Sequence, residues 1–166
     1  YSFILVSISS LVVFVSAGMI PTLVVQVNQH TDTKRQKICV EEFITSAIIL
    51  CIIGVCCIIL TRGLNITPQL ILDNLFLFSL ACIGLIVTAL SNATLQSLGY
   101  PYHSLCIASL FALYMGIVTI VSRELNFLTF TRLFLSGYFT ISLFSTFLLN
   151  RKSLLSLSGC FKGNIY

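Results

Sequence analysis

Charged residues are scarce in this chain of 166 residues. Asp, Glu, Lys and Arg together make up 8% of the sequence, whereas a soluble domain carries about 25%. Nine basic and five acidic side chains are too few to cover a water-soluble surface of this size. The shortage excludes a soluble globular enzyme, a disordered chain and a protein that binds nucleic acid.

Side chains that carry catalysis or hold metal ions are also few. The sequence has two histidines, His30 and His103, and none of its five acidic residues lies in the middle of an apolar run. It contains no HExxH, no GxSxG and no phosphate-binding loop. Five of its seven cysteines lie inside apolar runs, where a thiol packs as a small hydrophobic group. We therefore predict no catalytic residues, no metal site, no cofactor and no enzymatic activity.

Apolar residues, in contrast, make up 57% of the chain. Crossing a bilayer core of about 30 Å takes roughly 20 apolar residues in a helix, and five runs meet or approach that length. They are Phe3–Val27, Phe43–Thr61, Leu75–Leu95, Ser104–Ser122 and Phe127–Leu149. We interpret the first as a true span, since it is too long for a signal-peptide core and no basic segment precedes it.

These runs predict helices, because backbone amides inside hydrocarbon must be hydrogen-bonded within the segment. They do not alternate between polar and apolar residues, which excludes a membrane barrel. The prediction is a single all-α transmembrane domain over residues 1–166, a polytopic bundle of about five helices. The short tail over residues 150–166 is either a polar end or a truncated sixth span.

The basic residues predict the orientation of the five spans. Six of the nine lie on one side: Lys34, Arg35, Lys37, Arg151, Lys152 and Lys162. Because cytoplasmic loops carry an excess of Lys and Arg, that side is predicted to face the cytosol. The sequon Asn65-Ile66-Thr67 then lies on the other side, which makes Asn65 a candidate for glycosylation.

A few residues are candidates for interface or packing roles. Tyr102 and His103 precede the fourth run and are typical of an aromatic belt at the membrane surface, where His103 could also contact a headgroup. Arg132 is expected to extend toward the interface from the start of the fifth run. Residues Ala108, Ala112 and Gly116 form a stripe of small side chains, which predicts close packing against another helix.

Two tracts resemble the Frag/DRAM/Sfk family of damage-regulated autophagy modulators. The tract from His103 to Met115 is similar to that family's fourth-span region, where a His opens the span and is followed by small residues and aromatics. The tract from Cys82 to Val87 resembles the third span. The similarity in order and spacing extends from about Cys39 to Leu149. Members of the family usually have six spans and a first loop that carries a Pro-Ile-Ser-like tract and faces away from the cytosol, whereas the first loop here is short, basic and, by charge, cytosolic.

The resemblance implies a multi-pass protein of lysosomal or other endomembranes that modulates autophagy or lipid handling, with His103 as the position carried over. We therefore predict a non-enzymatic regulatory or lipid-associated membrane protein. Its expected partners are the lipid bilayer and other membrane helices or subunits.

Two alternatives remain open. One is an accessory structural subunit of a larger complex, such as a respiratory assembly of the mitochondrial inner membrane. The other is an oligomeric transporter or channel protomer. A polar stripe on the fifth span would favour the channel, and its residues are Ser136, Thr140, Ser142, Ser145 and Thr146.

Overall fold

The chain is helical throughout the parts that the structure describes. The computed structural model describes residues 18–61, 74–121, 127–152 and 154–155, and these ranges contain no β-strand. The helices are α1 over residues 18–29, α2 over Thr33–Thr61, α3 over Leu75–Ser97, α4 over Pro101–Val121 and α5 over Phe127–Arg151. The predicted all-α class is confirmed for these residues.

Within the described ranges, four helices, α2 to α5, are long and apolar enough to cross a membrane. This agrees with the predicted multi-pass architecture. The predicted count of about five spans is not confirmed, because the predicted span Phe3–Val27 lies mostly outside the described residues. Only its last part is described, as α1. Asn65 and most of the tail over residues 150–166 also lie outside them.

Helix α2 begins well before the apolar run that was predicted to start at Phe43. The cause is a polar cap: the Asp32 carboxylate accepts a hydrogen bond of 3.0 Å from the Lys34 amide, at the position where Asp stabilises a helix start. The side chain of Gln36 also donates to the His30 carbonyl oxygen at 2.7 Å and so ties α2 to the end of α1. An apolar run marks where hydrocarbon can begin, whereas the helix itself extends into the polar region.

Helices α3 and α5 form the most extensive contact of the bundle, and Gly84 allows it. A Cβ atom at Gly84 would lie 2.6 Å from the carbonyl oxygen of Tyr138 and 3.0 Å from the Cα of Phe139. The two backbones therefore touch directly, as small residues permit between membrane helices.

Helix α4 is anchored on α5 by Tyr114. The Tyr114 hydroxyl donates to the Leu133 carbonyl oxygen at 2.7 Å, and its ring lies against Gly137, where a Cβ atom would overlap it. One turn earlier on α4, the ring of Phe111 packs on that of Tyr138 with centroids 5.0 Å apart. Helix α4 contacts α3 less than it contacts α5, so the two neighbours α3 and α4 are held together mainly through α5.

The Tyr114 hydroxyl gives a first prediction. Tyr114→Phe should lower the free energy of unfolding by about 1 kcal/mol. It removes the bond to the Leu133 carbonyl oxygen and the 3.3 Å contact with the Ser136 hydroxyl, and it leaves the ring in place. Titration of the solubilised protein with sodium dodecyl sulfate, followed by circular dichroism, measures this. Tyr102→Phe is the matched control, since Tyr102 is 83% exposed. Equal stability of the two variants would contradict the role given to Tyr114.

The stripe of small residues on α4 does not face the bundle. Ala108, Ala112 and Gly116 are all exposed, and no heavy atom lies within 4 Å of a Cβ built on Gly116. The physical reason is that small side chains permit close approach but do not choose the face, whereas Tyr114 and the buried Ile107 turn another face of α4 inward. Packing of the stripe against a helix of another molecule stays a prediction.

Candidate functional site

His103 lies at the corner where α3 turns into α4. Gly99, with a φ of +79°, makes the tight turn in a conformation that glycine adopts without strain. The imidazole of His103 then meets the ring of Tyr100 edge-on, with centroids 5.7 Å apart. The ammonium of Lys152, just past the end of α5, lies 4.4 Å from the centre of the same ring. This is an aromatic and basic cluster typical of a membrane surface.

The same corner is joined by a side-chain hydrogen bond between α3 and α4. Gln96 Nε2 donates to the hydroxyl oxygen of Ser104 at 3.0 Å. Tyr102 points away from these contacts and is 83% exposed. Both Tyr102 and His103 lie at this end of the bundle, and the interface role stays a prediction for them.

Arg132 lies at the other end of the bundle. Its Nε donates to Asn74 Oδ1 at 3.2 Å, and Asn74, at the N-cap position of α3, makes no side-chain cap bond. From Arg132 to Arg151, helix α5 rises about 28 Å at roughly 1.5 Å per residue, close to the thickness of a bilayer core. Arg132 and His103 thus lie at opposite ends of the bundle and do not share a site.

A groove opens between α3, α4 and α5 and has a volume of about 330 Å³. Helix α3 contributes one face of residues at helical spacing, namely Leu85, Thr88, Ala89 and Asn92. Helix α4 contributes Phe111, and α5 contributes Tyr138 and Ile141. Its volume falls within the range of about 300–1000 Å³ that is usual for small-molecule sites.

The groove is apolar except at one end. The Thr88 hydroxyl already donates a hydrogen bond of 2.7 Å to the Gly84 carbonyl oxygen. Asn92 Oδ1, in contrast, is buried and has no hydrogen-bond partner. A buried acceptor left unpaired costs about 1–3 kcal/mol. Asn92 is therefore the side chain whose placement packing alone does not explain.

The sequence did not predict this groove. Its polar residue lies in the stretch from Ser91 to Thr94, which lowers the hydropathy at the end of the third run. The signal that was present is the spacing of Leu85, Thr88 and Asn92, which places a single amide on the same face as apolar residues.

A smaller hollow of about 180 Å³ lies where α1 meets α2. Its lining comprises Gln26, His30, Arg35, Ile38, Cys39 and Glu42. The Cys39 thiol donates to Gln26 Oε1 at 3.4 Å across it, so two of its polar groups already bind each other. Charges of both signs line the hollow, and they give it no preference for an anion or a cation.

The five hydroxyl groups of the predicted polar stripe on α5 each donate to a backbone oxygen of the same helix. Ser142 donates to the Phe139 carbonyl oxygen at 2.7 Å and Ser145 to the Ser142 carbonyl oxygen at 2.8 Å. Ser136, Thr140 and Thr146 bond backbone oxygens of α5 in the same way. Such bonds are the ordinary use of Ser and Thr in membrane helices.

Possible metal ligands lie apart in the described residues. Within residues 18–61, 74–121, 127–152 and 154–155, no three side chains of His, Cys, Asp or Glu come together in a group that could hold a metal ion. In the same ranges Cys51 and Cys82 are buried, while Cys56 and Cys106 are exposed.

Comparison with protein-family models, with curated proteins and with solved structures finds no match. The resemblance of the tract from His103 to Met115 to the Frag/DRAM/Sfk family therefore stays a prediction. The groove and the His103 corner are the structural features that bear on function.

Proposed function

We propose that this chain is a non-enzymatic multi-pass membrane protein that binds a membrane lipid in the groove between α3, α4 and α5. The groove is the observation that supports the proposal most directly, since it is an apolar recess with one polar end. Four helices long enough to cross a bilayer would place this recess at lipid depth. In this proposal the bound lipid regulates the protein by changing how α4 packs on α3.

Weak contact between α3 and α4 supports that regulatory role. Among the successive pairs α2–α3, α3–α4 and α4–α5, the contact between α3 and α4 is the least extensive. The groove is lined by these two helices together with α5. A lipid in the groove adds apolar contacts to both helices at once. Because burial of apolar surface contributes about 25 cal/mol per Å², occupancy of the groove should favour the packed arrangement.

The first test is whether a lipid remains bound after purification. The full chain is purified in mild detergent from its own membranes, and its lipids are extracted and identified by mass spectrometry. We expect one lipid class to be enriched over the surrounding membrane, at about one molecule per chain. A lipid content that mirrors the bulk membrane would contradict the proposal.

A lysosomal or other endomembrane location belongs to the same proposal and rests on the family resemblance alone. Imaging of the tagged chain against organelle markers tests it. A shift in mobility after endoglycosidase treatment, lost in Asn65→Gln, would place Asn65 in a lumen. A mitochondrial location would instead favour the alternative below.

The alternative is an accessory subunit of a larger membrane complex, such as a respiratory assembly. The outward-facing stripe of Ala108, Ala112 and Gly116 favours it, because small residues let a partner helix approach closely. The same purification decides between the two: a native mass far above one chain, with constant partners, indicates the subunit.

A further inference from the structure

The groove is mostly apolar, and the amide of Asn92 is the lining group in which a buried polar atom lacks a partner. Its Oδ1 atom is buried without a partner, and the one other polar group on this face of α3, the Thr88 hydroxyl, is already used within the helix. A ligand hydroxyl that reaches Oδ1 from the groove would give this buried acceptor the partner that it lacks.

The lining excludes a charged headgroup. None of the groove's lining residues is acidic or basic, so a phosphate or an ammonium would be buried without a counter-charge. The matching ligand has a single hydroxyl and a body that is otherwise hydrocarbon.

The direction of the groove matches such a ligand. Asn92 lies about 8 Å from the end of α3 at Ser97, on the side of the corner that holds His103, and Leu85 lies about 10 Å deeper along the helix. The polar end is therefore near a membrane surface and the apolar end near the middle. The rings of Phe111 and Tyr138, with centroids 5.0 Å apart, add aromatic carbon to the lining that the apolar body of a ligand can contact.

We propose that the groove binds a sterol with its hydroxyl at Asn92 and its rings directed toward Leu85. Among common membrane lipids, sterols combine one hydroxyl with an apolar fused-ring body. A volume of about 330 Å³ suits the ring portion, with the tail lying in the bilayer. This inference rests on the proposed function, because it names the class of lipid that the groove takes.

Competition between two sterols tests the proposal. The purified full chain is loaded with radiolabelled cholesterol, which is displaced with unlabelled cholesterol or with cholesteryl methyl ether, which cannot donate a hydrogen bond. We expect cholesterol to compete about tenfold better, the ratio that corresponds to about 1.4 kcal/mol. In Asn92→Leu the ratio should fall to about one.

Thr140→Val is the matched control, because Thr140 is exposed, does not line the groove and has its hydroxyl bonded to its own helix. It should keep the tenfold preference. Asn92→Leu removes an unpaired polar group, so it should fold at least as well as the natural chain, which a thermal melt checks. Equal competition by the methyl ether in the natural chain, or an unchanged preference in Asn92→Leu, would overturn the proposal.

Two further competitors separate this inference from the proposed function. Displacement by diacylglycerol as effective as that by cholesterol would overturn the sterol assignment and leave a lipid-binding groove. Binding of a lipid class that cholesterol cannot displace would also overturn the sterol assignment and leave a lipid-binding groove. Retention of no lipid above the bulk membrane would contradict the proposed function itself.

Discussion

Replacing Gly84 by alanine is expected to lower the free energy of unfolding by about 3 kcal/mol, at the upper end of what overpacking costs. The added methyl group would lie 2.6 Å from the Tyr138 carbonyl oxygen and 2.9 Å from its carbonyl carbon. Both atoms belong to the backbone of α5 and cannot rotate away. The helices α3 and α5 must therefore separate, and they form the most extensive contact of the bundle.

Gly116→Ala is the matched control for this prediction. No heavy atom lies within 4 Å of a Cβ at Gly116, and alanine is favoured over glycine inside a helix by about 1 kcal/mol. The control should leave stability unchanged or raise it slightly. Sodium dodecyl sulfate titration of both variants, followed by circular dichroism, gives the comparison. Equal stability of the two variants would show that the contact at Gly84 does not hold α3 and α5 together.

The positions of the helices could be predicted from the sequence with little error for three of the four long ones. The apolar runs Leu75–Leu95 and Phe127–Leu149 differ from α3 and α5 by only two residues, all at the C-terminal ends. The predicted start of α2 at Phe43 was wrong, because hydropathy does not detect a helix that continues through charged residues from a cap at Asp32.

Which faces of the helices pack together could not be predicted in the same way. The stripe on α4 at Ala108, Ala112 and Gly116 has the spacing of a packing motif, yet it is exposed. Gly84 and Gly137, without a partner at the same spacing, are where the backbone meets a neighbour. A small residue permits close contact, but the large side chains on the facing helix decide where it occurs.

The candidate site was beyond prediction because it is assembled from three helices. Leu85 and Asn92 share one helix, but Phe111 and Tyr138 come from others, and one sequence does not reveal which helix sides face each other. An interface role for His103 and Arg132 could be predicted more readily, because both lie near the ends of apolar runs in the sequence.

Ala89→Phe is expected to reduce the amount of lipid retained on purification by about tenfold or more, the loss that corresponds to at least 1.4 kcal/mol of binding. Ala89 lines the groove between Leu85 and Asn92. A phenyl ring at this position would occupy the space between α3 and α4 that the proposed lipid fills. Quantitative mass spectrometry of extracted lipid, normalised to protein, measures the effect.

Ala112→Phe is the matched control, because Ala112 is exposed on α4 and does not line the groove. It adds the same ring to a membrane helix and should leave the retained lipid unchanged. A thermal melt of each variant shows whether the bundle is intact, and an intact Ala89→Phe protein with undiminished lipid would place the lipid elsewhere. If only Ala112→Phe loses lipid, or loses a constant protein partner, the exposed stripe is the binding surface and the subunit alternative gains support.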